Sequence, residues 1–413
     1  MLWRTLAVIA ALILNILFSR YYAASGSGNV FYIFTIFTLI TQVAGFSLES
    51  GTGYYTAKGG GKENVLFTLS FVWSVVSSGI ALGFLLLIGA TTNSNTDYPF
   101  SYPLAYILGN MLISFGNAFS YAKYKFVLPG FLAVVVNTVL ILVLVAMNSG
   151  GWKEHFISFY FYSFLVHGVL LFALISITQK MVPSLQISRA ALKNIFRYSS
   201  FAFIANLLFL LISRLDYFFV KQYCTANELG NYIQVSRIAQ VFFIIPSMIA
   251  SVLFPVIAGG LRGAVADRIK TLSILILIVY VVPLGMLAVA GKWIFPWLFG
   301  ESFGQMYLPY LLLIPGILAI SSLYPYTAYF SAHNRIGVNI KGSLLALVVI
   351  LTGDLIFIPK YGIYAAALVS SAGYMVFQGY VFTSFAKEFN SSLKKLFTLN
   401  RREILDIIAS IKR

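Results

Sequence analysis

The chain has 413 residues, of which 60% are hydrophobic and only 10% are charged. Soluble domains carry about 25% charged residues, so this composition excludes an ordinary soluble protein and favours one whose surface faces lipid. The net charge of +16 would suggest a nucleic-acid partner for a soluble protein, but here the basic residues separate apolar runs, which is typical of membrane topology.

The sequence also excludes several kinds of chemistry. Cys224 is the only cysteine, so no intrachain disulfide can form. The chain contains no zinc-type Cys/His cluster, no phosphate-binding Gly-Lys-Ser/Thr loop and no Gly-x-Ser-x-Gly nucleophile elbow. We therefore predict no enzyme activity, no cofactor or metal, and no transport driven by ATP bound to this chain.

Twelve apolar segments in succession have the length of about 20 residues that a helix needs to cross the hydrocarbon. They lie at 2–22, 31–57, 64–90, 99–122, 127–148, 156–179, 199–220, 231–258, 270–290, 307–330, 339–358 and 363–385. The first is long for a signal peptide and precedes a poor cleavage site, so we interpret it as a spanning helix. With the N-terminus inside, most of the 28 Lys and Arg residues fall on inner segments, which predicts both termini in the cytoplasm.

These segments predict an all-α integral membrane protein with 12 transmembrane helices in two parallel six-helix lobes around a central polar cleft. The lobes cover 1–180 and 199–386, and a basic cytoplasmic loop at 181–198 joins them. Each half holds an even number of spans, so both have the same orientation. The outer loops are short, the longest being 291–306. The basic tail at 387–413 is amphipathic, which is typical of a helix lying on anionic lipid, with a partner-docking helix as the alternative.

A faint internal repeat relates the two halves. Ser19-Arg20 and Gly28-Asn29 recur as Ser213-Arg214 and Gly230-Asn231. On a helical projection, polar residues of the second and eighth spans each fall within one arc, and the two arcs coincide in register. These residues are Thr35, Thr38, Gln42, Gly45, Glu49 and Thr52, and then Arg237, Gln240, Ser247 and Ser251. Because polar groups facing lipid are costly, we predict that both faces line the cleft; the alternative is that the small polar residues join neighbouring helices.

The predicted substrate-binding residues are three arginines and two glutamines. A guanidinium group presents a planar fork that suits phosphate, so we predict that Arg237, Arg214 and Arg20 hold phosphates or acidic sugars. Gln240 and Gln42 lie on the same predicted polar faces. The alternative role for the arginines is snorkelling to the outer interface.

Three acidic residues are candidates for ion coupling. Glu49 lies near the inner end of the second span, and its alternative role is an ion pair with a lysine at the inner mouth, Lys58 or Lys123. Asp216 lies about 200° from Arg214 on a helix, so it is expected to pair with a neighbouring span instead. The alternative role for Asp354 is a salt bridge with a lysine that follows it closely, Lys360.

Prolines mark two of the spans as irregular. Pro246 and Pro255 fall in the eighth span, and Pro309, Pro315 and Pro325 in the tenth. Each removes a backbone donor and favours a kink, so we predict that they interrupt these helices; the alternative is that such kinks only serve packing.

Four short motifs are spread along the chain. They are Ser19-Arg20 with Gly28-Asn29-Val30-Phe31, Arg214-Leu215-Asp216 with Gly230-Asn231-Tyr232, the run from Ile245-Pro246 to Pro255-Val256-Ile257-Ala258, and Pro359-Lys360-Tyr361-Gly362. Together they resemble the bacterial polysaccharide-repeat flippases of the multidrug/oligosaccharidyl-lipid/polysaccharide exporter superfamily. The resemblance covers nearly the whole chain, although Asp354 stands where that family commonly has asparagine.

The resemblance implies a flippase in the bacterial cytoplasmic membrane. It would carry undecaprenyl-pyrophosphate-linked sugar repeats from the inner to the outer leaflet by alternating access, for O-antigen or capsule assembly. The implied partners are a lipid-linked anionic glycan, membrane lipids and other polysaccharide-assembly proteins, with no nucleic acid. Two alternatives stay open: a multidrug or cation antiporter of the same fold, and a repeat-unit polymerase or ligase, which would need a larger outer loop.

Overall fold

The structure, a computed structural model, describes residues 2–59, 63–92, 98–152, 155–184, 189–258, 265–390 and 392. Within these ranges the regular elements are helical and no strand occurs, which confirms the predicted all-α class. The predicted amphipathic tail lies outside the described residues from 393 onward. The elements are α1 (Leu2–Gly45), α2 (Leu48–Lys58), α3 (Glu63–Thr92), α4 (Ser101–Ala122), α5 (Val127–Ser149), α6 (Phe156–Thr178), α7 (Arg189–Arg214), α8 (Asp216–Tyr223), α9 (Ala226–Ala258), α10 (Val265–Phe299), a 3₁₀ segment (Glu301–Met306), α11 (Tyr307–Ala332) and α12 (Ile336–Glu388).

Nine helices of the described ranges are long and apolar enough to cross a membrane, so the chain is a multi-pass membrane protein. α1 has 44 residues and α12 has 53. Each is long enough to cross twice, since a helix rises 1.5 Å per residue and the hydrocarbon is about 30 Å thick. Each is broken once, at Ala23 (φ 56°) and at Gly362 (φ 58°), where the sequence predicts a turn between two spans. The count of twelve spans stays a prediction.

The prolines do not break the helices in which they lie. α9 runs without interruption through Pro246 and Pro255, and α11 runs through Pro315 and Pro325. No break in the helix therefore occurs at these prolines, and the kinks predicted there stay a prediction. A proline removes one backbone hydrogen bond, and tight packing of α11 against α9, α10 and α12 keeps the rest of that helix in place.

Two other segments differ from the prediction. The second predicted span, 31–57, is divided between α1 and α2, because Phe46 and Ser47 adopt a left-handed backbone conformation. The predicted outer loop at 291–306 is helical for most of its length, since α10 extends to Phe299 and the 3₁₀ segment follows it. Hydropathy alone misplaced both boundaries, because it does not register backbone conformation.

The chain divides into two compact units. The first contains Met1–Tyr22 and Tyr32–Leu207, and the second contains Ala23–Phe31 and Leu208–Arg413. The middle of α1 therefore belongs to the second unit, while both of its ends belong to the first. The sequence predicted that a loop at 181–198 separates the two lobes. In the structure α7 begins at Arg189, and the division between the two units falls within this helix, after Leu207. The arrangement of two lobes around a cleft stays a prediction.

The first unit is built around α4, which packs against α2, α3, α5 and α6. Its core is a cluster of buried leucine and phenylalanine side chains that includes Phe115 and Phe119 of α4. Phe67 of α3 stacks on Phe172 of α6 with their ring centroids 4.3 Å apart. In lipid, such close packing rather than the exclusion of water holds helices together.

The second unit is built around α11, which packs against α9, α10 and α12. Hydrogen bonds between helices accompany the packing. The Tyr310 hydroxyl donates to the Leu284 carbonyl over 3.1 Å, and Gln378 Nε2 donates to Ser322 Oγ over 2.6 Å. Bonds of this kind contribute about 0.6 kcal/mol each in a membrane protein, so they orient the helices more than they stabilise the unit.

Candidate functional site

The break between α1 and α2 is held by polar and aromatic contacts within the first unit. Ser47 (φ 48°) accepts hydrogen bonds on its Oγ from Gln42 Nε2 over 2.8 Å and from Asn206 Nδ2 over 3.1 Å. Phe46 (φ 50°) stacks on Phe203 at 4.8 Å between ring centroids. A left-handed non-glycine residue costs on the order of 1–3 kcal/mol, so these contacts must offset that strain.

A polar cavity of about 160 Å³ lies beside this break. Several residues of the predicted polar face on the second span line it, and α4 supplies the opposite wall. The lining residues include Thr38, Thr41, Gln42, Gly45, Ser47, Glu49, Asn110 and Ser114. The cavity has room for several water molecules but not for an oligosaccharide. The structure therefore brings Gln42 and Glu49 together, although not along one continuous helix.

Glu49 lies in the first turn of α2 and makes no ion pair with Lys58 or Lys123. Lys123 instead pairs with Glu63 of α3. The Ser50 hydroxyl lies 3.4 Å from Glu49 Oε1. The alternative role predicted for Glu49, an ion pair with a lysine, is therefore wrong for this structure, and its side chain lines the cavity instead.

The predicted arginines of the second unit stand together on α7 and α9. Arg214 Nη2 donates to Gln240 Oε1 over 3.4 Å. The Arg237 guanidinium carbon lies 3.6 Å from the centroid of the Phe31 ring, which is close enough for a cation–π interaction. Both arginines also act electrostatically on the buried Tyr217 between them in sequence. We call Arg214, Arg237 and Gln240 the arginine face.

The remaining predicted polar residues are placed differently. Ser247 and Ser251 donate to carbonyls of their own helix, those of Ile244 and Met248, over 2.7 Å each. Arg20 belongs to the first unit and has an exposed side chain. Its relation to the arginine face stays a prediction.

The segment Ala23–Phe31 fixes the base of the arginine face. A Cβ atom on Gly28 would lie 2.5 Å from Gly230 Cα, and one on Gly230 would lie 1.9 Å from Ala24 O, so only glycine fits at either position. The two copies of the predicted Gly-Asn repeat therefore contact each other. The Ala24 amide also donates to Ser302 Oγ over 3.0 Å. This anchoring places Phe31 beneath Arg237.

Two carboxyl groups are buried in the second unit. Asp216 is 2% exposed, and its Oδ2 accepts hydrogen bonds from the Tyr232 hydroxyl and, over 2.9 Å, from Ser370 Oγ. Asp354 is 0% exposed, and neither of its carboxylate oxygens has a hydrogen-bond partner among the described residues. Lys360 does not reach it, so the alternative prediction of a salt bridge is wrong.

Asp216 and Asp354 lie close enough to interact electrostatically. Burying an ionised carboxylate without a cation is costly, and burying two together is more costly still. A proton or a metal cation of low charge would remove that cost. We call Asp216, Asp354, Tyr232 and Ser370 the buried acidic cluster.

The sequence did not single out two members of this cluster. The sequence marked Tyr232 only as part of a Gly-Asn-Tyr motif and predicted no contact for its hydroxyl. Ser370 is one of many serines in apolar segments. Ser370 lies 154 residues from Asp216 along the chain, so no local spacing could have joined them. The expectation that Asp216 pairs with a neighbouring span is confirmed, with hydroxyl partners from two helices, α9 and α12.

Solved structures of membrane transporters share this fold. The lipid II flippase MurJ, in an inward closed conformation, matches with a TM-score of 0.73 and 14% identity over 99% of this chain and 96% of that chain. The MATE transporter VcmN of Vibrio cholerae matches with a TM-score of 0.67 and 15% identity over 96% and 97% of the two chains. A MOP superfamily transporter from Pyrococcus furiosus matches with 0.67 and 12% identity over 96% and 95%. These proteins are flippases and transporters, not enzymes.

No curated protein sequence matches the chain at a significant level. Residues 31–307 match the family described as polysaccharide biosynthesis protein. Because this range exceeds half of the chain and the fold is that of flippases and transporters, the protein belongs to the polysaccharide biosynthesis protein family.

Proposed function

We propose that the protein moves undecaprenyl-pyrophosphate-linked oligosaccharide repeats from the inner to the outer leaflet of the bacterial cytoplasmic membrane by alternating access. The family and the flippase fold support this proposal. A pyrophosphate-sugar head cannot cross hydrocarbon unaided, because an isolated charge there costs tens of kcal/mol by Born estimates. The carrier must hold the head on polar side chains, while the lipid tail stays in the bilayer. Other polysaccharide-assembly proteins would receive the product.

The arginine face is the observation that carries this proposal. Each of its two guanidinium groups has a partner that fixes its orientation. Arg214 bonds to the Gln240 amide oxygen, and Arg237 lies over the Phe31 ring. A guanidinium whose direction is already fixed loses less entropy on binding phosphate than a free side chain does. Arg214 and Arg237 therefore hold the pyrophosphate. Arg20 and Gln42 are secondary candidates for contacts to the head group.

The test is surface glycan in a strain that lacks its own copy of the gene. We expect Arg237→Ala and Arg214→Ala to abolish surface polysaccharide while the protein stays in the membrane at the normal level. Arg237→Lys should restore part of the signal, because lysine keeps the charge but loses the fork. Arg268→Ala, which removes an exposed arginine from α10 of the same unit, is the matched control. Normal surface polysaccharide in both alanine variants would show that Arg214 and Arg237 do not hold the pyrophosphate.

The buried acidic cluster is the proposed coupling site. It binds the proton or sodium ion whose entry drives the transport cycle, because a cation relieves the mutual repulsion of Asp216 and Asp354. An ion that binds one conformation better than the other shifts the equilibrium between them by that difference in affinity. Glu49 is the remaining candidate for ion coupling. It is the weaker candidate because the hydroxyl and amide groups of its cavity already surround its carboxylate, so a cation would change its energy less.

The second candidate function is a multidrug or cation antiporter of the same fold. The buried acidic cluster favours it, since a cationic drug needs acidic contacts in its binding site. A deletion strain separates the two functions. Loss of surface glycan with unchanged drug susceptibility would support the flippase, and the reverse result would support the antiporter. A polymerase or ligase is not proposed, because the structural neighbours are transporters.

A further inference from the structure

A second basic site lies in the second unit, at the point where α12 both begins and ends. α11 ends at Ala332, and a short turn containing Asn334 (φ 58°) leads to the start of α12 at Ile336. Arg335 Nη1 in this turn lies 2.8 Å from Glu388 Oε2 at the far end of α12. The salt bridge therefore joins the two ends of a 53-residue helix that folds back at Gly362.

A cavity of about 690 Å³ opens between these two ends. Three basic side chains line it, those of Arg335, Lys341 and Lys387, together with one carboxylate, Glu388. Glu388 is already engaged, since it pairs with Arg335 and accepts a hydrogen bond from Tyr329 over 3.0 Å. The cavity therefore keeps an excess of positive charge.

Lys341 and Lys387 supply this excess. Both side chains are exposed, and neither forms an ion pair within the described part of the chain. The hydroxyl groups of Tyr380 and Ser384 add hydrogen-bonding groups to the same lining. The first turn of α12 also borders the cavity at Gly337, and no side chain caps that helix start, which carries a positive partial charge.

Aromatic side chains pack beside the salt bridge at this cavity. The Arg335 guanidinium lies 5.5 Å from the Phe330 ring centroid. Tyr329 packs edge-on against Phe385, and Phe385 contacts Phe389 at 4.7 Å. Tyrosine is enriched at the level of the lipid headgroups in membrane proteins, and Tyr329 and Tyr380 lie at this end of α12. The basic residues of the cavity fall on an inner segment in the predicted topology.

An apolar strip leads away from the basic cavity along α12. Leu344, Leu345 and Val348 follow Lys341 at helical spacing, and they are 50%, 45% and 53% exposed. A soluble anion would gain nothing from such a strip. A lipid would use both parts, with its headgroup at Lys341 and its acyl chains along the leucines and the valine. Basic pockets between helices at the cytoplasmic side bind the headgroups of anionic lipids.

We infer that this cavity binds the phosphate headgroup of an anionic phospholipid, such as phosphatidylglycerol or cardiolipin, from the inner leaflet. The alternative occupant is the chain's own tail, because only four residues separate the end of α12 at Glu388 from residues 393–413. That stretch contains six basic and two acidic residues, so its charge matches that of the cavity and opposes binding. The charge of an anionic lipid is complementary to it.

The experiment measures lipid binding to the purified full-length protein. Thermal stability and native mass spectrometry are recorded with added cardiolipin or phosphatidylglycerol, and with phosphatidylcholine as the neutral lipid. We expect the anionic lipids to raise the melting temperature and to remain bound. Lys341→Gln with Lys387→Gln should weaken their binding by roughly 30-fold, from the attraction that each lysine supplies near a membrane surface.

The control variant removes the same charge elsewhere. Lys58→Gln with Lys125→Gln takes two exposed lysines from the first unit, which the topology also predicts on the inner side. It should bind anionic lipid as the unchanged protein does. Equal binding by the Lys341/Lys387 variant, or equal loss in both double variants, would overturn the inference. Both are surface changes, and a monodisperse protein with an unchanged melting temperature in phosphatidylcholine verifies folding.

Two further measurements test whether a soluble anion or the chain's own tail, rather than a lipid, occupies the cavity. Inorganic pyrophosphate alone, at the same phosphate concentration, should leave the melting temperature unchanged; stabilisation equal to that by cardiolipin would assign the cavity to a soluble anion. A carbodiimide should not join Lys341 or Lys387 to Glu403 or Asp406 in the presence of cardiolipin. Such cross-links would show that the tail occupies the cavity, and would overturn the lipid assignment.

Discussion

The two units both place carboxyl groups within predicted membrane spans, but they surround them in opposite ways. Glu49 of the first unit lies beside a cavity of about 160 Å³ lined by hydroxyl and amide groups. Asp216 and Asp354 of the second unit are almost fully enclosed, and the side chains that bond to Asp216 are the hydroxyl groups of Tyr232 and Ser370. Polar groups of the cavity surround the partly buried Glu49, whereas the described residues offer no hydrogen-bond partner to the Asp354 carboxylate.

This difference indicates which carboxyl groups the protein uses. An ionisable group that water solvates changes little in energy when a cation arrives. A buried, uncompensated pair changes greatly, so cation binding there can bias a conformational equilibrium. Natural proteins retain such costly groups mainly where function requires them. We therefore propose that coupling takes place in the second unit and that the cavity of the first has a structural role.

The largest expected effect comes from neutralising one carboxylate in each region. Asp354→Asn keeps the shape of the side chain and removes its charge, so gradient-driven transport in proteoliposomes should fall by about 5- to 150-fold, the range typical of a coupling free energy. Glu49→Gln makes the matching change in the first unit and should leave the rate within about threefold, since that site lacks such coupling. A larger loss in Glu49→Gln than in Asp354→Asn would reverse the comparison. Testing sodium and proton gradients separately identifies the coupling ion.

A smaller effect should follow from removing one hydroxyl donor to Asp216. Tyr232→Phe takes away the Tyr232 hydrogen bond and leaves the ring in place. A hydrogen bond to a buried charged group contributes about 1.5–3 kcal/mol, so the free energy of unfolding should fall by about that amount. Tyr374→Phe is the control, because the Tyr374 hydroxyl is in the same buried region but makes no hydrogen bond with described residues. An equal fall in the free energy of unfolding in the two variants would show that the hydrogen bond from Tyr232 to Asp216 adds no stability of its own.

Much of the fold follows from the sequence because the signals are local. Apolar runs of spanning length predicted the helices, and the spacing of Arg237 and Gln240 placed both on one helix face, where the structure shows Gln240 bonded to Arg214 and Arg237 over the Phe31 ring. The Gly28-Asn29 and Gly230-Asn231 repeat marked two positions whose backbones touch. In each case neighbouring residues carry the information.

The other features depend on contacts between distant residues. Asp354 was assigned a salt bridge with Lys360 because the two are close in sequence, but the fold buries Asp354 and leaves Lys360 exposed. The helix break at Ser47 depends on Asn206, which lies 159 residues away. Pro315 was expected to break a helix that tight packing keeps continuous. Residue spacing along one segment carries none of this information.

The smallest expected effect tests the first unit alone, at the left-handed Ser47. Ser47→Ala removes the acceptor for both Gln42 and Asn206 and keeps the strained backbone, so the free energy of unfolding should fall by about 1–3 kcal/mol. Ser47→Gly loses the same acceptor but relieves the left-handed strain, which is worth about 1–2 kcal/mol per residue. Ser47→Gly should therefore be the more stable variant by about that difference, in matched melting experiments in one detergent. If Ser47→Gly were no more stable than Ser47→Ala, backbone strain would not be what the polar contacts at this break offset. The packing of Phe46 on Phe203 would then have to hold the break in place.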